Sequence, residues 1–230
     1  MNYYAPATTS VVLLAAGRGQ RMRSLTEQTP KPLLKVGGIS LIEHHLRSFQ
    51  SQGFRNIVVN LDYLGKKIVE QLGDGAQYGL SIEYSDESEG GALETAGGLK
   101  HALPLINSDP FLVVNSDIWV ECDFTELLAP LTTLGRLVLV NNPSHNPQGD
   151  FALNHSGLLQ NRSRGCFTYS GIALYRKSIF EDLSSGKQPL APIFRQLIAE
   201  KRLEGVKYNG VWTDVGTPER LQQLNQQLRP

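Results

Sequence analysis

Cysteine is scarce in this chain, and neither sign of charge is in excess. Cys122 and Cys166 are the two cysteines among 230 residues. A lone pair makes no disulfide framework, and their spacing matches no metal-binding pattern, so a reducing compartment is expected. Lysine plus arginine number 22, and aspartate plus glutamate also 22. Proteins that follow a nucleic-acid backbone carry a basic surplus, so nucleic acid is not the expected partner, although one or two phosphates held locally remain compatible. Long apolar runs are missing as well. Val11–Ala16 is far shorter than the ~20 residues of a membrane span. Residues 1–10 have neither the basic start nor the apolar stretch of a signal peptide and read as a frayed extension. A soluble cytoplasmic protein without a membrane partner is expected. Repeats, charge blocks and low-complexity tracts are also lacking.

Hydrophobic residues make up 40% and charged residues 19%, a globular composition. The length suits one α/β domain, residues 11–230. Short apolar runs alternate with amphipathic stretches, the pattern of a mostly parallel sheet covered by helices. Expected strands are Ser10–Ala15, Asn56–Leu61, Leu80–Tyr84, Phe111–Asn115, Arg136–Asn141, Thr168–Tyr175, Gly205–Tyr208 and Val211–Val215. Ser40 and Glu43 form a capping box, ahead of Leu41, Ile42, His45, Leu46 and Phe49 at helical spacing, with Gly53 suited to the position after the helix. Further helices are expected at Leu64–Leu72, Thr95–Leu105, 177–184 and 190–202. A second capping box, Asp123 with Glu126, would open a short helix. Thr217 and Pro218 mark the last helix, because proline costs little at its first position. Residues 142–166 are rich in Asn, Pro, Gly, Ser and His; they read as short antiparallel strands (Phe151–Asn154, Leu158–Gln160) within a small lobe spanning roughly 142–210.

The most informative stretch is Leu13-Leu-Ala-Ala-Gly17-Arg-Gly19-Gln-Arg21-Met22, continuing to Thr29-Pro-Lys31-Pro. A buried strand runs directly into a glycine-containing loop. Glycine lets backbone N–H groups approach an anion, Arg21 can fork onto phosphate oxygens, and the prolines around Lys31 restrict where its ammonium points. A plain turn would explain the glycines but not the cations. The dinucleotide fingerprint wants a small residue where Met22 stands, and the Walker pattern wants a Gly-Lys-Ser/Thr that is missing. The reading is a triphosphate cradle at the carboxyl end of a strand.

Two aspartates each follow an apolar run: Asp117 in Val113-Val-Asn-Ser-Asp117, and Asp214 in Val211-Trp-Thr-Asp214. Parallel strands of one sheet would bring both to one edge, where they could share Mg²⁺, an ion content with one or two carboxylates plus phosphates and water. Taken singly, each more often braces a loop. The five histidines form no ligand cluster, and His45 lies on an apolar helix face. A Gly-x-Ser-x-Gly elbow is lacking, and neither cysteine has an activating pattern. Leu93-Glu94-Thr95-Ala96-Gly97-Gly98 precedes a helix, where free backbone N–H groups could face a base; alternatively Thr95 simply caps that helix. Gly149-Asp150 and Ser170-Gly171 look like close-approach points near a sugar.

These residues resemble the sugar nucleotidyltransferases, whose signature is a Gly-rich loop, an Arg-Met/Leu pair and Pro-Lys-Pro. The resemblance runs from about Val11 to the last helix. It is strongest to the branch acting on N-acetylmuramate α-1-phosphate in cell-wall recycling, through Leu41-Ile-Glu-His-His-Leu46, Leu93-Glu-Thr-Ala-Gly-Gly98, Val114-Asn-Ser-Asp-Ile-Trp119, Asn142-Pro-Ser-His-Asn-Pro-Gln-Gly-Asp-Phe151, Tyr169-Ser-Gly171 and Trp212-Thr-Asp-Val-Gly-Thr217. The resemblance implies a Rossmann-like, mostly parallel mixed sheet flanked by helices (the nucleotide-diphospho-sugar transferase fold) with a small antiparallel sugar-binding lobe. It implies UTP and a sugar 1-phosphate as substrates and Mg²⁺ as cofactor. Arg21, Lys31 and Asp117 would be catalytic, with Asp117 and Asp214 as metal ligands. Ala15, Ala16, Gly17, Glu94 and Gly97 would bind the nucleotide, and Asn115, Gly149, Asp150 and Ser170 the sugar. The Glu-Lys-Pro segment of many glucose-type relatives is lacking between Gly157 and Thr168, and the β-helix domain of some relatives is not expected. A different sugar and base, such as mannose 1-phosphate with GTP, is the alternative within the class. A silent nucleotide sensor or a dinucleotide oxidoreductase are alternatives outside it.

Overall fold

Val11, Val12 and Leu13 are apolar on successive positions because their strand is covered on both faces. The computed structural model describes residues 3–88, 91, 93–161 and 165–228. Its strands are β1 (Val11–Leu14), β2 (Lys35–Val36), β3 (Ile39–Ser40), β4 (Asn56–Leu61), β5 (Ser81–Asp86), β6 (Phe111–Asn115), β7 (Ile118–Val120), β8 (Gly135–Val140), β9 (Ala152–Leu153), β10 (Leu159–Gln160), β11 (Thr168–Tyr175), β12 (Leu203–Lys207) and β13 (Trp212–Asp214). The α-helices are α1 (Leu41–Ser51), α2 (Gly65–Leu72), α3 (Glu94–Ala102), α4 (Leu190–Ala199) and α5 (Pro218–Gln227).

Seven strands form the main sheet in the order β12-β8-β11-β6-β1-β4-β5. β11 runs antiparallel to both β6 and β8, and the other pairings are parallel. From β1 the chain steps outward to β4 and β5, then returns to place β6 on the other side. The topological switch therefore lies between β1 and β6, where open α/β sheets leave a crevice. Alternate residues of each strand serve opposite faces. Val11, Leu13, Ile57 and Val59 pack with α1 and α2, whereas Val12 and Val58 pack with α3 and α4. Phe49 of α1 is fully buried beside Phe54 and Phe124, with ring centroids 5.8 and 4.9 Å away. Burial of such a side chain contributes about 2–3 kcal/mol.

Several local expectations hold. Ser40 accepts from the Glu43 backbone while the Glu43 carboxylate accepts from Ser40 N, the capping box. Gly53 takes φ +87° just past α1. Thr217 caps α5 with Pro218 next.

Others are corrected. Residues 3–10 are not frayed: Tyr4 N donates to Leu128 O at 2.9 Å, and Thr9 and Ser10 are buried. Residues 142–210 are not a separate lobe, because β11 and β12 belong to the main sheet. The appendage is confined to the β9–β10 pair and its flanking loops. The helix expected at 177–184 is one 3-10 turn, Lys177–Ile179. Asp123 accepts from Thr125 N and opens a 3-10 turn, without the reciprocal bond from Glu126 among the described residues. Glu94 and Thr95 lie inside α3, so Thr95 is not its cap. No helix among the described residues is long and apolar enough to cross a membrane.

Candidate active site

Two cavities, about 480 and 1020 Å³, open along the carboxyl ends of the parallel strands. They share a rim formed by Leu14, Glu94, Thr95 and Asn115. The smaller lies over the loop that leaves β1.

That loop is held by two side-chain bonds from neighbouring strands. Ser116, just past β6, donates its hydroxyl to Leu14 O at 2.6 Å. Asn60 of β4 accepts from Ala15 N at 2.6 Å and donates to the Glu87 carboxylate at 2.7 Å. Glu87 also accepts from Leu93 N at 3.3 Å, and burial pushes its carboxyl above the ordinary range. Asn60 and Glu87 both line the smaller cavity, and the sequence reading missed them. The available signal was Asn60 itself, a polar residue that interrupts the apolar run of Ile57, Val58, Val59 and Leu61.

The two loop glycines differ. Gly19 adopts φ +62°, and a Cβ there would lie 3.1 Å from both Lys31 Cβ and Thr26 Cγ2. The protein's own packing therefore requires glycine at 19. A Cβ at Gly17 would meet nothing within 4 Å. The fold leaves that space open toward the cavity that Gly17 lines.

Lys31 starts a 3-10 turn between Pro30 and Pro32. Its side chain is 7% exposed and forms an ion pair with Asp117 Oδ2. A buried ammonium needs such a partner. Arg21 lines the same cavity and has no hydrogen bond or ion pair among the described residues.

The backbones at Asp117 and Asp214 are neighbours, by a route other than the expected one, and Asp117 alone of the two lines the smaller cavity. Asp214 lies outside the main sheet. Asp117 leads into β7, which pairs antiparallel with β13 in a two-stranded ribbon, Asp214 facing Ile118. Val215 N donates to Asp117 O at 3.0 Å. Asp214 Oδ2 accepts from Arg220 at 2.6 Å, with His145 Nε2 at 3.3 Å. Gly216 closes the corner: a Cβ there would lie 2.8 Å from Asp214 Oδ1 and 3.1 Å from Arg21 Nη2. The Oδ1 atom of each aspartate has no hydrogen-bond partner among the described residues. His45 braces the ribbon, its Nε2 2.9 Å from Ile118 O, and burial lowers its pKa to about 4.

Ala15, Ala16, Gly17, Glu94 and Asn115 line the smaller cavity, and Asn115, Gly149 and Asp150 line the larger. Gly97 does not line either. Its N–H and that of Ala96 donate to Gln188 O, and a Cβ on it would sit 2.3 Å from Gly186 O. Gly97 thus seats α3 against the 186–188 segment, and those N–H groups are not free to face a base. Ser170 is also spent internally: its hydroxyl accepts from Ile172 N at 3.2 Å, and its carbonyl accepts from Trp212 Nε1 at 3.0 Å. It sits in a bulge of β11 where Gly171, at φ +83°, clears Asn115. Asp150 has both oxygens engaged, by Asn146 Nδ2 at 3.2 Å and Tyr169 N at 2.8 Å. Residues 162–164, within the stretch that lacks the Glu-Lys-Pro segment, lie outside the described residues.

A doubly wound sheet with a cationic, glycine-lined crevice at its switch point defines an α/β protein built to hold phosphorylated small molecules. The chain belongs to the nucleotidyl transferase family, whose sequence model matches residues 10–152, and it is a nucleotidyltransferase. It is 45% identical over 220 residues to an N-acetylmuramate alpha-1-phosphate uridylyltransferase from Neisseria meningitidis serogroup B, covering 92% of this chain and 95% of that one. A protein of the same name from Caulobacter vibrioides is 33% identical over 90% of this chain and 92% of its own. The crystal structure of HddC from Yersinia pseudotuberculosis complexed with GMP-PN superimposes with a TM-score of 0.80, covering 96% of this chain and 100% of that one at 22% identity. The fold is that of the nucleotide-diphospho-sugar transferases.

Proposed function

We propose that the chain transfers UMP from UTP to N-acetylmuramate α-1-phosphate, giving UDP-N-acetylmuramate and pyrophosphate, and that it serves peptidoglycan recycling in the cytoplasm. The observation that carries the reading is the shared rim. A compact cavity with Arg21, Lys31 and Asp117 opens onto a larger one with room for a substituted sugar. The kinship with two uridylyltransferases of that specificity supports the choice of base and sugar.

The triphosphate lies over the Ala15–Arg21 loop, with Gly17 letting it approach. An anionic oxygen of the sugar phosphate attacks the α-phosphorus in line. The new P–O bond forms as the bond to the bridging oxygen of pyrophosphate breaks. No proton needs removing, because the attacking phosphate is already ionised, so catalysis is positioning and charge neutralisation. Arg21 binds the departing pyrophosphate. Lys31, anchored by its prolines, neutralises charge on the α-phosphate. Asp117 and Asp214 would hold Mg²⁺ through their uncommitted Oδ1 atoms. Two carboxylates suit an ion that completes its shell with phosphates and water. Mg²⁺ would supply Lewis-acid stabilisation of phosphoryl charge.

A matrix pairing UTP, GTP, dTTP and CTP with several sugar 1-phosphates, with and without Mg²⁺, tests the reading by pyrophosphate release. The expected result is a maximum for UTP with N-acetylmuramate α-1-phosphate that chelation abolishes. A maximum for GTP with mannose 1-phosphate would replace the reading.

A further inference from the structure

The larger cavity contains one cation among the described residues that line it, Arg195 of α4. Its guanidinium has no hydrogen bond or ion pair among the described residues. Neither acid on the cavity wall forms an ion pair with it. Asp150 is engaged by Asn146 and Tyr169, and Glu94 stands on the rim shared with the smaller cavity.

The backbone that carries Arg195 is held firmly. The neighbouring Phe194 is 3% exposed and packs edge-on against Phe151 and Tyr169, with ring centroids 5.9 and 5.7 Å away. Asn161, at the end of β10, donates to Arg195 O at 3.1 Å. Ala191 and Arg195 are four residues apart on α4 and so lie on one face of the helix; both line the cavity. An apolar patch with a planar cation one turn away is complementary to a short branched acid: a methyl group on the former, a carboxylate forked by the latter.

We propose that Arg195 is a specificity-determining residue that recognises the carboxylate of the lactyl ether on the sugar substrate, with the lactyl methyl resting on Ala191. This rests on the N-acetylmuramate reading above and adds to it the group that separates that sugar from N-acetylglucosamine.

The test compares N-acetylmuramate α-1-phosphate with its lactyl carboxamide, which keeps the shape and removes the charge. kcat/KM for each is measured with UTP in the wild-type enzyme, Arg195→Ala and Arg195→Lys. The wild type should prefer the acid by about 10- to 100-fold, the range of one charge-assisted fork. Arg195→Ala should bring the acid-to-amide ratio to within about 3-fold of unity, through loss on the acid. Arg195→Lys should fall between them, because an ammonium keeps the charge without the fork. Arg195 is exposed, so the variants should melt with the parent. A ratio unchanged in Arg195→Ala overturns the proposal and leaves the sugar assignment standing, as does a wild type that uses acid and amide alike. A wild type that uses neither, yet turns over another sugar phosphate, removes the sugar assignment and this proposal with it.

Discussion

Lys31 in the smaller cavity is 6% exposed, flanked by prolines and paired with Asp117. Arg195 in the larger is exposed, and its guanidinium has no hydrogen-bond or ion-pair partner among the described residues. The same contrast runs through both walls. The smaller is made from strand ends of the main sheet, cross-linked by Ser116 and Asn60, with the Asp117–Asp214 ribbon beside it. The larger shares main-sheet residues (Leu14, Val113, Asn115 and Tyr169) and completes its wall with the loop around Asn146–Phe151 and one face of α4. Parts that must meet developing charge at fixed distances are best held by rigid elements, whereas parts that read the identity of a substrate can change with little consequence for the fold. The comparison predicts that damage to the smaller cavity appears in turnover, and damage to the larger in substrate preference.

The most severe break should come from Asp117→Asn. Turnover is expected to fall about a thousandfold or more, since the metal ligand proposed above is lost. Stability should fall as well, because the buried Lys31 ammonium loses its charged partner and keeps only an amide oxygen to donate to. Asp150→Asn, across the rim, is expected to act mainly on KM for the sugar phosphate, within about 10-fold. Steady-state kinetics on both variants decides it; equal losses in kcat would end the division of labour between the cavities.

Gly97→Ala should cost stability, about 2–3 kcal/mol, because the new methyl overlaps Gly186 O and parts α3 from the 186–188 segment. Urea midpoints measure this. A variant that melts normally but no longer binds UTP would return Gly97 to the nucleotide site.

The loop glycines give a finer cut. Gly19→Ala should destabilise by about 1–2 kcal/mol, through its left-handed backbone and the 3.1 Å contacts with Lys31 and Thr26. Gly17→Ala should leave stability within about 0.5 kcal/mol yet lower kcat/KM about 10- to 100-fold, by obstructing an approaching phosphate. If Gly17→Ala were fully active, the open space over residue 17 would not be where the triphosphate lies.

What the sequence disclosed follows the same divide. Strands at the centre of the sheet are continuous apolar runs, and β4, β6 and β11 match their expected limits. The capping residues of α1 and α5 were legible because a cap is a local rule. The β7–β13 ribbon was not, since three-residue strands have too few side chains to show a period, and its pairing joins residues nearly a hundred positions apart. Asp117 and Asp214 are thus neighbours through the ribbon, not through parallel strands of one sheet as expected. Gly97 was misread for a related reason: a glycine needed for packing and one needed for a ligand look alike until the neighbouring backbone is known.

His45 offers the smallest effect and tests whether the ribbon is held from behind. Its ring is buried, bonds Ile118 O and touches Phe49, and burial lowers its pKa from 6.5 to about 4. The unfolded chain takes up a proton as pH falls below 6.5, while the folded protein resists until about 4. The unfolded state therefore binds more protons in that window. The stability that the neutral ring contributes is present above pH 6.5 and drains away as pH falls toward 4. Between pH 7.5 and 6 the loss from this one group should be about 1 kcal/mol. His45→Gln keeps a donor for Ile118 O without a titrating ring. Urea unfolding of both proteins at the two pH values isolates the difference, because every other group titrates in each. A matching loss in the variant would mean that His45 already charges in the folded state, and that α1 does not shelter the base of the ribbon.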